Sequence, residues 1–178
     1  LLAGDILSTD SASPYTLEFL LAQLQRLRDE QIAVYWAGGQ QDDPDLWPEQ
    51  LSLPDNVHTF PVGQTEELRF SRGKEEVAAI VGRSAASSEK LRAAGFAGSK
   101  QGIPRIGLAS GSIGRKDLDG KGIDYWAFGG LATRQSLKCS TTALYSGAPQ
   151  GRTPDQHGPF GCELVELDYG QVTHRQLE

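Results

Sequence analysis

Several residue types are scarce or missing in this sequence of 178 residues, and each absence narrows what the protein can be. There is no methionine, there are only three histidines, and the two cysteines, Cys139 and Cys162, stand far apart without a CxxC or Cys/His pairing. Neither a zinc site nor a disulfide framework is indicated, so we expect two free, buried thiols in a reducing cytoplasm. Since no run of about eighteen apolar residues exists, we expect neither a membrane span nor a signal peptide.

Positive charge is also in short supply. The chain carries 23 acidic and 17 basic residues, for a net charge of -6. That balance gives no global attraction for a phosphate backbone, so binding to nucleic acid would need a local patch or bound cations.

The residues that are present describe one loop-rich domain. A hydrophobic content of 38% is ordinary for a globular protein, and the 21 glycines and 9 prolines favour short elements joined by turns. We expect residues 1–178 to form a single domain. Because the chain opens on what reads as the end of a buried strand, we expect that domain to be a fragment or an incomplete version.

The first part of the chain predicts a strand, a helix and a second strand. Ser13–Pro14 is a helix start, with a capping hydroxyl and a proline at the first helical position, and leucines recur after it at helical spacing. Residues 32–37 form a short apolar run, as in a buried strand. With residues 1–3 as the first strand, this βαβ unit places the loops at Asp5 and at 40–42 on the same edge of a sheet.

Later segments read mainly as short strands. We predict them at residues 57–61, 67–70, 77–81, 103–109, 125–128, 143–145 and 163–167, the last joined to 171–174 in a hairpin. A further helix is predicted over residues 84–95, capped by Gly95. Many strands and few helices indicate an α/β protein with two stacked sheets and helices outside.

The order of several motifs resembles the calcineurin-like metallophosphoesterases, nearest the SbcD-like branch of DNA double-strand-break repair exonucleases. The segments that carry the resemblance are GDIL at 4–7, GQQD at 39–42, LSLPDNVHTF at 51–60, GRS at 82–84, IGLASG at 106–111, DYWAFGGLATRQ at 124–135, and the closing segments 145–152 and 158–168. The resemblance implies a four-layer α/β/β/α sandwich that lacks the strand of the family's first motif in this chain.

Family chemistry uses two divalent ions, typically manganese, to activate water on a phosphodiester. By resemblance, Asp5 matches the bridging carboxylate, and Gln40 falls on an asparagine ligand, where its amide oxygen could still bind weakly. Gln41 falls on the catalytic histidine and cannot shuttle a proton. Because Gly38–Gly39 allows two registers, Asp42 is the alternative ligand. Asp5 has a second interpretation of equal weight, which is that it caps the turn after the strand.

The other ligand positions hold residues that cannot bind metal. Ser110 falls where the third motif has histidine, and Gly130 and Ala132 fall on the two histidines of the fourth motif. A dinuclear site is therefore not predicted, and Mn2+ is expected only if the family activity survives. Arg134 and Arg152 are expected near the cleft, where they would contact a phosphate or, more often for such arginines, form ion pairs.

Three functions from different classes remain open on the sequence. The leading hypothesis is a degenerate, inactive phosphoesterase domain that acts as a scaffold or partner in DNA repair. The second is an active manganese-dependent phosphodiesterase or exonuclease whose metal ligands are noncanonical or lie in unseen segments. Deliberate alteration of the polypeptide is a separate explanation for the substituted ligand positions. The third is a metal-independent nucleic-acid-binding module. The resemblance also implies DNA, an ATPase partner and a homodimer.

Overall fold

The computed structural model describes residues 1–85, 91–100, 102–151, 153–168 and 171–177, and within these ranges the chain is a mixed α/β protein. Its one α-helix there is α1 (Pro14–Asp29). The strands of the described residues are β1 (Val34–Trp36), β2 (Val57–Thr59), β3 (Glu66–Arg72), β4 (Glu75–Arg83), β5 (Arg105–Ser110), β6 (Tyr125–Gly129), β7 (Gln135–Lys138), β8 (Thr142–Tyr145), β9 (Cys162–Asp168) and β10 (Gln171–Leu177).

The N-terminal part of the fold follows the predicted strand, helix and strand. The Ser13 hydroxyl accepts a hydrogen bond from the Thr16 amide at 3.1 Å, which caps α1 where the sequence predicts its start. The leucine stripe of α1 buries against β1 and Leu51. β1 runs parallel to β2, and residues 1–3 contribute only a single parallel bridge, between Leu2 and Trp36, in place of a full strand.

A six-stranded sheet forms the larger part of the domain. Its strand order is β3-β4-β5-β6-β8-β7, and the central pairs from β4 to β8 are parallel. The two outer pairs, β3 with β4 and β7 with β8, are antiparallel. β7 is not among the predicted strands, because Gln135–Lys138 is a short, mostly exposed edge strand without an apolar alternation.

Two apolar cores lie on opposite faces of this sheet. One face packs Ile80, Leu108 and Leu144 against Tyr35 and Phe60 of the β1–β2 region, so the two sheets are stacked. The other face carries a second core in which aromatic rings dominate. Its largest members are Trp126, Phe128, Phe96 and Tyr145. The hairpin β9–β10 adds Val165, Leu167 and Val172 to the core between the sheets.

The outer layer over the aromatic core differs from the prediction. The helix expected over residues 84–95 is wrong for the part that is described: Ser84 forms a parallel bridge with Val62, and residues 93–96 form a short 3-10 helix. Residues 86–90 lie outside the described ranges. Among the described residues, the layers are, in order, α1, the small sheet formed by β1 and β2, the six-stranded sheet, and 3-10 turns. The outer helical layer of a four-layer sandwich therefore stays a prediction.

Two smaller expectations can also be compared with the structure. Cys139 and Cys162 are both free thiols, but Cys162 is exposed and Cys139 is half-buried, so the expectation that both are buried is wrong. Val165 and Leu167 of β9 face inward, whereas Cys162 lies on the outward face of that strand with Leu164. No helix in the described ranges has both the length and the hydrophobicity that crossing a bilayer requires.

Candidate functional site

The loops that carry the predicted site meet at one edge of the stacked sheets. The loop after residues 1–3, the loop after β1, the end of β5 and the end of β6 converge there, because parallel strands present their carboxyl ends at the same edge. We call this group the motif-loop cluster and define it as residues 4–5, 39–42, 110–111 and 129–130. The predicted neighbourhood of Asp5 with the loop at 40–42 is confirmed by direct hydrogen bonds.

Asp42 holds two of these loops together. Its carboxylate is completely buried. Oδ1 accepts from the amides of Asp5 at 2.7 Å and Gly39 at 2.5 Å, and Oδ2 accepts from the Ile6 amide at 2.9 Å and from Trp36 Nε1 at 3.1 Å. All four partners are N–H donors, so they favour the ionised carboxylate. A metal at Asp42 would have to displace these donors, and its role as a ligand stays a prediction that this geometry counts against.

The charge state of Asp42 reflects two opposed effects. Burial raises the pKa of the carboxyl, while the hydrogen bonds from Gly39, Ile6, Asp5 and Trp36 oppose that rise. Burying an isolated carboxylate costs free energy, and here two N–H donors to each oxygen offset that cost. Removal of its acceptor capacity would therefore leave the buried N–H groups of Gly39 and Trp36, and the partly buried amides of Asp5 and Ile6, without this partner.

A tryptophan pair next to Asp42 was not anticipated from the sequence. Trp47 donates from its ring nitrogen to the Asp42 carbonyl at 2.8 Å, and its ring lies 4.6 Å from that of Trp36, centroid to centroid. Asp42 is thus fixed through both its side chain and its carbonyl. No short motif connects an aspartate with tryptophans at these separations, so sequence pattern alone gives no signal for this arrangement.

Asp5 has the geometry of a turn residue as well as the position of a ligand. Its backbone lies in the left-handed region at φ 57°, and its Oδ1 accepts a hydrogen bond from the Gln41 amide at 2.9 Å. The bond links Asp5 to the loop after β1 rather than to its own turn. Capping of the turn directly after residues 1–3 and a metal role, the two interpretations left open by the sequence, both stay predictions.

Ser110 and Gly130 lie on the opposite side of the cluster. Ser110 is buried at the end of β5, and the Gly111 amide donates to the Gly129 carbonyl at 3.0 Å. A β-carbon built on Gly4, which has φ +83°, would lie 2.7 Å from both Ser110 Oγ and Gly39 Cα. The loops thus approach one another at backbone distance, with the small Ser110 side chain between them.

The side chains available at this edge do not fit the pair of metal ions that the resemblance implies. Gln40 and Gln41 are exposed amides, and Ser110, Gly130 and Ala132 offer no imidazole. In the part of the chain that the structure describes, no three histidine, cysteine, aspartate or glutamate side chains gather where one ion could bind them. Divalent transition ions in such sites need several carboxylate and imidazole ligands, and among these positions the carboxylate of Asp5, which already accepts a hydrogen bond from the Gln41 amide, is the group that best suits an ion.

The two arginines expected near the cleft have different outcomes. Arg134 forms an ion pair with Glu163, whose side chain is 3% exposed, and the Glu163 carboxylate raises the pKa of that guanidinium. The ion-pair alternative is therefore what the structure shows for Arg134, and a phosphate contact stays a prediction. Arg152 lies outside the described residues.

Two of the three histidines have partners outside the motif-loop cluster. His58 stacks on Tyr35 with ring centroids 5.0 Å apart, and His174 Nδ1 lies 3.4 Å from the Glu163 carboxylate on the hairpin side of the sheet. The partner of His58 is thus the Tyr35 ring, and that of His174 is the Glu163 carboxylate. Both roles are structural in this geometry.

Comparison with known proteins adds one relative. The chain is 30% identical over 189 aligned residues to the "Uncharacterized metallophosphoesterase YhaO" of Bacillus subtilis strain 168. The similarity supports a metallophosphoesterase-type domain. It covers 98% of this chain but 46% of that relative, so the chain spans about half the length of the curated protein it matches. No family model matches the chain.

Proposed function

We propose that this chain is a catalytically degenerate metallophosphoesterase-type domain that is kept for its fold and acts as a scaffold or partner. One observation carries the proposal: the loops of the family's site are brought together at one sheet edge, but their ligand positions hold Gln41, Ser110, Gly130 and Ala132. The framework around them is retained, since Asp42 still joins the two loops through bonds from the Asp5 and Ile6 amides and is held in its own loop by Gly39 and Trp36.

The chemistry supports the proposal. Metal-assisted hydrolysis needs ions that polarise the phosphodiester and generate hydroxide, and a group that protonates the leaving oxygen or orients the phosphate. Glutamine at position 41 can donate a hydrogen bond but cannot transfer a proton near neutral pH. Serine, glycine and alanine at 110, 130 and 132 cannot replace imidazole as ligands.

A role in DNA repair is the finer part of the proposal. The resemblance of segments such as 124–135 to repair exonucleases motivates it, together with a homodimer, an ATPase partner and nearby DNA. The net charge of -6 disfavours direct binding to the phosphate backbone, so the partner protein would carry the DNA contacts. A cytoplasmic location, where the free thiols of Cys139 and Cys162 would persist, belongs to the same proposal.

Two measurements on the purified chain test inactivity. In calorimetric titration with manganese we expect no saturable binding, and with bis-p-nitrophenyl phosphate and excess manganese we expect hydrolysis at the rate of a control without protein. Asp5→Ala is the matched variant, because it removes the carboxylate at the position of the family's bridging ligand. Near-stoichiometric manganese binding together with hydrolysis that Asp5→Ala abolishes would show an active enzyme and reject the proposal.

A binding measurement addresses the remaining alternative. Fluorescence anisotropy with labelled duplex DNA at two salt concentrations is expected to show no specific complex. Affinity that falls steeply as salt rises would identify a nucleic-acid-binding module and would contradict a role through protein partners alone.

A further inference from the structure

We infer that the space in which the family binds its metal ions is filled in this domain, in addition to lacking the metal ligands. The Ser110 side chain occupies the gap between the loops of the motif-loop cluster. A histidine introduced at position 110 would therefore not create a metal site. The inference rests on the proposed function, but it concerns the space in the motif-loop cluster rather than activity. Loss of ligands alone would leave an open cleft lined by small side chains. The described geometry is different.

The first observation is the position of the Ser110 side chain. It is 4% exposed, and its Oγ lies 2.7 Å from where a β-carbon on Gly4 would be and 3.2 Å from where one on Gly130 would be. Serine therefore occupies a narrow gap between two loops. An imidazole is several atoms larger than a hydroxyl and has no free volume there unless a loop moves.

The second observation is that hydrogen bonds hold the surrounding loops in place. Asp42 fixes the amides of Asp5 and Gly39, and the Gly111 amide is bonded to the Gly129 carbonyl at 3.0 Å. A β-carbon on Gly129 would overlap the Ala3 carbonyl oxygen, so the end of β6 also lies directly against the residue that precedes Gly4. Movement of any one loop would break contacts with the others.

The third observation concerns Gly130. Its φ is +87°, in the region that favours glycine, and a β-carbon there would lie 2.9 Å from the Gly111 amide nitrogen. A histidine at this position would be strained and crowded. Ala132, in contrast, is exposed and lies outside the defined cluster, so a histidine there has room.

Thermal unfolding of single variants tests the closure. Ser110→His is expected to lower Tm by about 3–10 °C through overpacking, and added manganese should not recover the loss. Ala132→His, the matched control that introduces the same side chain at an exposed position, should change Tm by no more than about 1 °C. Ser110→Cys, which is close in size, should retain most of the wild-type Tm.

Equal Tm values for Ser110→His and wild type would overturn the inference, because they would show that the space is open. A manganese-dependent rise in the Tm of Ser110→His would overturn it as well. Neither result would bear on whether wild type is inactive, which the titration and hydrolysis measurements decide. The two proposals can therefore fail separately.

Hydrogen exchange on the wild-type chain gives a second measurement that needs no variant. In the closed arrangement the amides of Gly39 and Gly111 are bonded to fixed acceptors, so they should be protected, and to the same degree with manganese or with a chelator. Exchange at the rate of an unstructured loop, or protection that appears only with manganese, would contradict the closure. This measurement keeps the inference testable if Ser110→His does not fold.

Discussion

Replacement of Asp42 by asparagine is the sharpest test of the hydrogen bonds that join the site loops. The amide keeps one acceptor oxygen, but its NH2 group would face two of the four donors around Asp42, whichever way the side chain is turned. In either orientation one of the two donors is buried and the other partly buried. A buried N–H left without an acceptor costs about 1–3 kcal/mol, so we expect a loss of about 1–4 kcal/mol in the free energy of unfolding. That is a large part of the roughly 5–15 kcal/mol that holds a typical domain folded.

Urea unfolding followed by tryptophan fluorescence measures this loss. The midpoint should fall while the slope with denaturant stays unchanged, because the surface exposed on unfolding is the same. Asp43→Asn is the matched control: Asp43 is the next residue, and its carboxylate accepts only a local bond from the Asp45 amide at 2.9 Å in the described contacts. Asparagine can make that bond, so its effect should stay within about 0.5 kcal/mol.

The result that would refute the reasoning is an Asp42→Asn variant within about 1 kcal/mol of wild type, since even one unsatisfied buried amide should cost that much. A loss that appears only when manganese is present would also refute it. In that case Asp42 would act as a metal ligand rather than as an acceptor for backbone amides.

Three further predictions follow from the structure. Gly129→Ala should lower stability by about 1–3 kcal/mol or prevent folding, because the new methyl group meets the Ala3 carbonyl, and a wild-type urea midpoint would contradict this. Asp5→Asn keeps an acceptor for the Gln41 amide, so its urea midpoint should equal that of wild type, whereas Asp5→Ala should be less stable. Equal losses of stability in both variants would contradict this and would indicate that the charge of Asp5 matters. Burial and the Glu163 carboxylate raise the pKa of Tyr125. Above about pH 10 the unfolded chain therefore releases a phenol proton that the folded chain retains. The free energy of unfolding should then fall by up to about 1.4 kcal/mol per pH unit because of this group. Tyr125→Phe should reduce that slope in alkaline urea unfolding, and an unchanged slope would contradict the assignment.

Local patterns predicted much of the framework. The start of α1 could be predicted because the Ser13 hydroxyl and Pro14 satisfy the requirements of a first helical turn within a few residues. Buried parallel strands such as β5 and β6 were recognisable as continuous apolar runs, since both of their faces are covered. These signals are local, so tertiary structure does not have to be known to read them.

Other elements depend on contacts that are distant in sequence. The segment around Ser84 has a helical composition, but the Ser84 hydroxyl donates to the Phe60 carbonyl at 2.6 Å and accepts from the Gly38 amide at 2.9 Å, which keeps it extended beside the small sheet. β7 forms because it pairs with β8, not because of its own pattern. Tertiary contacts overrode local propensity in the first case and created the strand in the second.

The sequence predicted where in the fold the candidate site lies, but not the contacts between its loops. Strand order brought Asp5 and the loop at 40–42 to one edge, as the βαβ unit requires. The sequence could not show that Asp42 would be enclosed by amides from both loops, because those donors are backbone groups and leave no mark in the residue pattern. The closeness of Gly4 to Ser110 is hidden for the same reason.

Thermal unfolding of the wild-type chain, measured once with excess manganese and once with a chelator, tests the central claim most directly. An ion bound to the folded state at about one hundred times its Kd would add about 2.7 kcal/mol of stability, which corresponds to a rise of several degrees in Tm for a domain of this size. A domain that has lost its metal ligands should unfold at the same temperature in both conditions, within about 1 °C. A manganese-dependent rise of several degrees that Asp5→Ala removes would contradict the account.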